Sequence, residues 1–421
     1  MRVNNKNTKS LSLKSNSLWN VFGSLVYSLT QWGLVIAIAK NGSPEMVGIF
    51  TLSLALTAPV VLLTRLNLRV AVASDINNEF GFNEYYTSRI IATIVSLLIL
   101  IIITIFYPTD TYTRVVIFIM CFAKAFESVS DILYGQLQKH ERLDIIAKSR
   151  IIKGLVSFIA FTIIMMITND LLLSTIGLLI IWLLTLIIYD FKVIREIFGE
   201  VSINFRKKHQ LLILKLTIPL GIAQLIASLN SNVPRYVIEH YHGIEMLGFY
   251  SAIIYIIVAG SNVVLAISSA VLPRLSTLYQ NSKIKEFLKI ILNMIFMVLI
   301  LGIIALLIVY TLGGEILEKV YSTEYKYLNK EFFLFTVMGI FKYTNVFLDT
   351  GISATRKFVI QPYINGITLS IISVLSFILI PLYGMNGAIY SLIIAEIVQL
   401  ILRGVFISYL LIKRTKNPEN Y

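Results

Sequence analysis

The sequence predicts an all-α polytopic membrane protein, with about 12 transmembrane helices in two six-helix bundles. Three observations predict it. Hydrophobic residues make up 57% of the 421 positions and charged residues 14%, with a mean hydropathy of +0.80, whereas a soluble domain carries roughly 25% charged residues. The apolar residues fall in runs of roughly 20, the length that spans the hydrocarbon as a helix; a barrel would show short period-two segments instead. Finally, one motif occurs twice. Pro44-Glu45-Met46-Val47-Gly48-Ile49-Phe50 returns as Ile244-Glu245-Met246-Leu247-Gly248-Phe249-Tyr250, each copy preceded by a glycine (Gly42, Gly243) and followed by a long apolar run. Duplicated halves with a seam between them are how many transporters build a central site.

The apolar segments lie near 18–39, 46–64, 88–107, 114–135, 150–168, 171–190, 211–236, 247–271, 288–311, 331–350, 360–381 and 386–411. Ala37-Ile38-Ala39 resembles a signal-peptide cleavage site, but the apolar stretch before it is too long for an h-region, so the first segment reads as an uncleaved helix. Charge sets the orientation. Counted in odd-even order, 28 of the 36 Lys and Arg fall on one side. They include Arg2, Lys6, Lys9 and Lys14, the loops near 65–89, 139–153, 192–215, 274–289 and 356–357, and the tail residues Arg403, Lys413, Arg414 and Lys416. The opposite side holds Lys40, Arg114, Arg235, Lys319, Lys326 and Lys330. The positive-inside rule then predicts a multi-pass protein of the cell membrane with both termini cytoplasmic, in agreement with an even helix count. The net charge of +13 follows from this bias and from contact with membrane lipids, so nucleic acid is not needed to explain it.

Three divisions follow: an amino-terminal bundle over 1–195, a cytoplasmic linker over 196–210, and a carboxy-terminal bundle over 211–421. Six helices per half make the repeats parallel. The cluster Arg206-Lys207-Lys208 reads as a headgroup-facing linker. The single cysteine, Cys121, excludes an internal disulfide and reads as a packing residue.

Polar residues within the segments are the candidates for function. The first segment carries Asn20, Ser24, Tyr27 and Gln31 as one stripe, and the seventh carries Gln224, Ser228, Ser231 and Arg235 at the same spacing. Stripes on repeat-related helices suit a shared cavity; equally, polar groups glue membrane helices together. Pro234 is expected to break the seventh helix, leaving Arg235 either on a cavity wall, suited to phosphate, or snorkelling to water. Lys124, Glu127 and Asp131 share one face of the fourth segment. A charge near the bilayer centre costs about 2.5–3.5 kcal/mol and needs a partner, so these residues form a structural ion pair or bind a coupling ion. Arg65 and Arg69 close the second segment and Arg274 the eighth; they are positive-inside anchors that also suit an anionic headgroup entering from the cytoplasm. Glu396 and Arg403 read as a packing or snorkelling pair. No phosphate-cradling loop, nucleophile elbow or zinc signature is present, so the expectation is neither an enzyme nor a cofactor- or metal-dependent protein.

Several runs resemble the Wzx-type polysaccharide flippases. They are Asn230-Ser231-Asn232-Val233-Pro234-Arg235-Tyr236-Val237-Ile238-Glu239 with Leu247-Gly248-Phe249-Tyr250-Ser251-Ala252, and Asn16-Ser17-Leu18-Trp19-Asn20 through Met46-Val47-Gly48-Ile49-Phe50. A third is Lys124-Ala125-Phe126-Glu127-Ser128 through Asp131, Tyr134-Gly135, Gln138 and Glu141-Arg142-Leu143-Asp144. The resemblance covers most of the chain. It implies the MATE-like fold, two bundles around a V-shaped central cavity, shared with multidrug exporters and the peptidoglycan-precursor flippase. It also implies an activity: moving an undecaprenyl-pyrophosphate-linked oligosaccharide repeat unit across the cytoplasmic membrane by alternating access, with polysaccharide polymerase machinery as a further partner. Pro234 departs from the family pattern, which often has an acidic residue before this arginine. The alternative within the same fold is a cation-coupled multidrug exporter, whose cavity should favour acidic residues.

Overall fold

The computed structural model describes residues 13–75, 77–357 and 359–416. Arg2, Lys6 and Lys9 of the basic amino terminus lie outside the described residues, as do the side chains of Lys14 and Lys416. The described residues form helices and no strands. Ten helical stretches among them are long and apolar enough to cross a membrane. The protein is therefore a multi-pass membrane protein.

α1 (Leu13–Asn41) leads through a tight turn into α2 (Pro44–Arg65). The turn is written locally: the Ser43 side chain accepts from the Met46 N–H at 3.3 Å, and Pro44 sits in the first turn, where no amide donor is needed. α2 stops at Arg65 because Leu66 and Asn67 take left-handed backbone angles, φ 51° and 49°. The chain resumes as α3 (Leu68–Ser74), so Arg65 and Arg69 straddle the break. α4 (Phe82–Phe106) exposes Ile94, Leu98, Ile102 and Ile105 along one stripe, the pattern of a lipid-facing helix.

Asp110 caps α5 (Thr111–Lys139) by accepting from the Thr113 N–H at 3.0 Å. Hydrogen bonding from Thr113 holds this carboxylate below its usual range. α6 (Leu143–Thr168) is followed by α7 (Leu171–Leu184), a π-helical turn (Thr185–Phe191) and α8 (Lys192–Phe198). The wider π turn rotates the residues it carries relative to α7, and Asp190 is one of them.

α9 (Lys207–Gln280) runs for 74 residues and is two helices joined at Gly243, whose φ of 81° and ψ of 176° suit glycine alone. This differs from the expected break at Pro234. The backbone stays helical through Pro234 and Arg235, and the non-helical residue is Gly243. Proline is tolerated in membrane helices because neighbouring side chains satisfy the freed carbonyl. The remaining helices are α10 (Ile284–Val320), α11 (Asn329–Ala354), α12 (Ile360–Tyr383) and α13 (Met385–Lys416), with a 3-10 turn at Thr323–Leu328. Both copies of the repeated motif thus occupy one place, the opening turns of the helix after a break.

The chain divides between Leu229 and Asn230 into two compact units. In the amino-terminal unit α5 is central, packed against α2, α3, α4 and α7, while α1 lies along α6. In the carboxy-terminal unit α11 packs against α10 and α13, and α12 against α13.

Candidate functional site

The central position of α5 makes its three charged residues the hub of a buried network. Lys124 Nζ lies 2.9 Å from Glu127 Oε2 and 5.0 Å from the ring centre of the buried Trp182. Glu127 also receives Arg65 Nη2 at 3.3 Å and the Tyr27 hydroxyl at 3.4 Å. Arg65 Nε donates to Ser128 Oγ at 3.0 Å. One turn further, Asp131 meets Arg89 Nη2 at 3.2 Å and Arg69 Nη1 at 3.7 Å, and Arg69 Nε donates to Gln138 Oε1 at 2.9 Å. Each carboxylate therefore offsets more than one cation. Burying an ion is costly unless opposite charge and hydrogen bonds surround it, which explains the density of contacts.

α6 and the π turn extend the network. Lys153 Nζ donates to Ser130 Oγ at 2.8 Å and stands 3.9 Å from Asp190 Oδ2. Ser130 and Ser149 donate to the two oxygens of Asp190 at 2.6 and 2.5 Å, and Ser149 is bonded to the Tyr134 hydroxyl at 2.7 Å. The Tyr134 ring lies within 5.9 Å of three cations, Arg69, Arg150 and Lys153. Arg150 donates to Ser24 Oγ at 2.8 Å and has no ion pair among the described residues.

These side chains enclose space. A cavity of about 280 Å³ is walled by Arg65, Arg150 and Lys153 against Glu127 and Asp131, with Ser24 and Tyr27 completing it. A second, of about 290 Å³, is walled by Arg65, Arg69, Asp131, Gln138 and Gln224. Across the whole network the cations are Arg65, Arg69, Arg89, Lys124, Arg150 and Lys153, and the acids Glu127, Asp131 and Asp190. The site carries excess positive charge, an electrostatic balance that favours an anion over a cation.

The sequence candidates fall into three groups. Ser24, Tyr27, Arg65, Arg69, Lys124, Glu127, Asp131 and Gln224 come together around these cavities. Arg65 and Arg69 belong to the buried network itself, each side chain under a fifth exposed. Asn20 and Gln31 share α1 but do not line either cavity; Gln31 Nε2 is buried without a hydrogen-bond partner among the described residues. Ser228 is buried in α9. Arg235 and Arg274 belong to the carboxy-terminal unit. Arg235 Nη1 donates to Asn232 Oδ1 at 2.9 Å and its guanidinium lies 5.9 Å from the Tyr255 ring centre, while Arg274 is exposed.

Two readings change. Glu396 and Arg403 do not pair: Arg403 Nη2 lies 3.3 Å from Asp349 Oδ1, and Glu396 accepts from Asn345 Nδ2 at 2.8 Å. α13 directs the guanidinium onto α11, so the acid it meets lies across the helix packing rather than along its own helix. Secondly, the charge bias places Arg89, Arg150 and Lys153 with the positive-inside loops, yet they lie within helices and join the site. A signal for Lys153 existed: Ser149, Lys153 and Ser157 recur every four residues on one face of an apolar run. Asp190 had none, because its register depends on the π turn.

Fold and site together define a class: a multi-pass helical membrane protein of transporter architecture with a cationic interior site. Comparison with known proteins agrees on the fold. The fold is that of an inward-facing multidrug resistance MATE family transporter of the MOP superfamily (TM-score 0.72, 13% identity, 93% of this chain and 98% of that one). It is also that of the lipid II flippase MurJ in an inward closed conformation (TM-score 0.74, 16% identity, 93% of this chain and 87% of that one). The family model described as "Polysaccharide biosynthesis protein" matches residues 13–279, and the chain belongs to that family. A relative, the capsular polysaccharide biosynthesis protein CapF of Staphylococcus aureus, is 29% identical over 381 residues, covering 90% of this chain and 95% of CapF.

Proposed function

We propose that the protein is a flippase that moves undecaprenyl-pyrophosphate-linked oligosaccharide repeat units across the cytoplasmic membrane for surface polysaccharide synthesis. It acts by alternating access, without catalysing a covalent reaction, and with both termini in the cytoplasm. The observation that carries this reading is the excess of buried cations in the amino-terminal unit. A pyrophosphate bearing sugar hydroxyls cannot cross roughly 30 Å of hydrocarbon unassisted, while the polyprenyl tail can stay in lipid throughout. Arg65, Arg150 and Lys153 offer the charge for the head; Ser24 and Tyr27 offer hydroxyl partners beside them. Arg235, in the other unit, is a further phosphate contact. A cation exporter of the same fold would need the opposite balance.

Depletion of the protein in its host tests this. The expected result is accumulation of undecaprenyl-pyrophosphate-linked oligosaccharide in membrane extracts with loss of surface polymer; intact polymer without accumulation would overturn the reading. Arg150 is the most informative residue to replace, because it has no ion pair and its loss leaves no carboxylate orphaned. Arg150→Ala is expected to lower export about tenfold at unchanged abundance, the size of a lost charge-assisted hydrogen bond. Arg235→Ala should likewise impair export at normal abundance.

A further inference from the structure

A third cavity lies on the other face of α2. It is a groove of about 590 Å³ walled by Leu63 of α2 and Leu66 just beyond its end, Ile91 and Val95 of α4, and Leu214 and Ile218 of α9. Its size falls in the range of roughly 300–1,000 Å³ that accommodates a small ligand. Three polar side chains reach its wall besides one charge, and all three are satisfied by the protein. Thr64 Oγ1 donates to the Val60 carbonyl at 2.8 Å. Ser88 Oγ donates to Gln210 Oε1 at 2.5 Å, and Gln210 Nε2 donates to the Glu84 carbonyl at 3.0 Å. The remaining group is Lys207, exposed, with no ion pair among the described residues.

The surrounding charge supports an anion at that point. Arg206 is offset by Glu84, 3.4 Å away, and His209 stands 2.9 Å from the same carboxylate. Lys207, which lines the groove, and its exposed chain neighbour Lys208 have no ion pair among the described residues, so positive charge is left uncompensated beside the groove. An apolar groove with one free ammonium at its end and no open hydrogen-bonding group fits an amphiphile with a single anionic head.

We propose that this groove is a binding site for an anionic glycerophospholipid, one acyl chain lying between α2, α4 and the start of α9 and the phosphate meeting Lys207. The transported lipid does not match it: a sugar-bearing pyrophosphate requires several cations and hydroxyl partners, which the cavities around Arg65 supply and the groove does not. The bound lipid would brace the first turns of α9 against α2 and α4.

The test uses the full chain, purified and delipidated in detergent, with native mass spectrometry after adding phosphatidylglycerol, phosphatidylcholine or undecaprenyl phosphate. The wild type is expected to retain phosphatidylglycerol over phosphatidylcholine by roughly fivefold, the scale of one basic residue at an anionic lipid. Lys207→Gln should abolish that preference, and Ile91→Trp, which fills the groove from a partly exposed position, should abolish retention of both. Lys289→Gln, an exposed site on α10, should change neither. An unchanged preference in Lys207→Gln, or displacement of phosphatidylglycerol by undecaprenyl phosphate, would overturn the proposal. Should Ile91→Trp lower the melting temperature, phosphatidylglycerol with a photoreactive acyl chain serves instead. Cross-links within residues 63–66, 88–95 and 205–218 support the site, and cross-links elsewhere refute it.

Discussion

Lys153 shows how much a single charge depends on its surroundings. It is 2% exposed, and its amine is surrounded by Ser130 and Asp190 on one side and the Tyr134 ring on the other. Asp190→Asn removes the nearest anion and is expected to destabilise the protein by about 3–5 kcal/mol, read as a lower melting temperature in detergent. Adding Lys153→Met should restore most of that loss, since a matched apolar replacement is often neutral. Export separates the roles of the lysine: a purely structural Lys153 predicts that the double variant exports normally, whereas a headgroup contact predicts restored stability with export still impaired. The α5 charges stood out in the sequence because acids and a lysine interrupt an apolar run. Arg89, Arg150 and Lys153 did not, because arginines and lysines near segment ends look alike whether they snorkel outward or turn inward.

Among elements, the repeated motif was legible as a repeat but not in its physics. Gly42 and Gly243 occupy equivalent places and answer different needs. A Cβ at Gly42 would stand 2.6 Å from Met165 Cε, the end of a flexible side chain, while a Cβ at Gly243 would touch nothing within 4 Å. Gly243 is required by its backbone alone, at φ 81°. Gly243→Ala is therefore expected to cost about 1–3 kcal/mol through strain in a conformation alanine avoids, with Gly42→Ala losing less because the methionines yield. Equal melting temperatures for the two variants would contradict this. The predicted apolar segments fall within helices because hydrophobic length is a local property, but ten helical stretches among the described residues, rather than twelve, are long and apolar enough to cross a membrane. The breaks were harder. Proline is a visible signal yet Pro234 stays helical, whereas left-handed Leu66 and the π turn at Thr185–Phe191 carry no residue that announces them; at the α2 break only Asn67, a residue that tolerates left-handed angles, gives a hint.

For the molecule as a whole, the charge bias makes an orientation testable. With Cys121 buried and replaced by alanine, single cysteines at Tyr327 and Lys413, both exposed, report opposite sides. An impermeant maleimide is expected to label Tyr327→Cys in intact cells and Lys413→Cys only after permeabilisation; the reverse pattern would invert the topology. The class of the protein, its apolar spans and its duplication were all present in the linear order of residues, since each depends on hydropathy or on similarity between two stretches of the sequence. Which charges meet was not. Asp131 reaches Arg69 and Arg89 on two other helices, Lys153 reaches Asp190 through a π turn, and Arg403 reaches Asp349 instead of the acid on its own helix. Those pairings depend on helix rotation and packing, which set distances between residues far apart in sequence, and the cationic character of the site exists only once they are made.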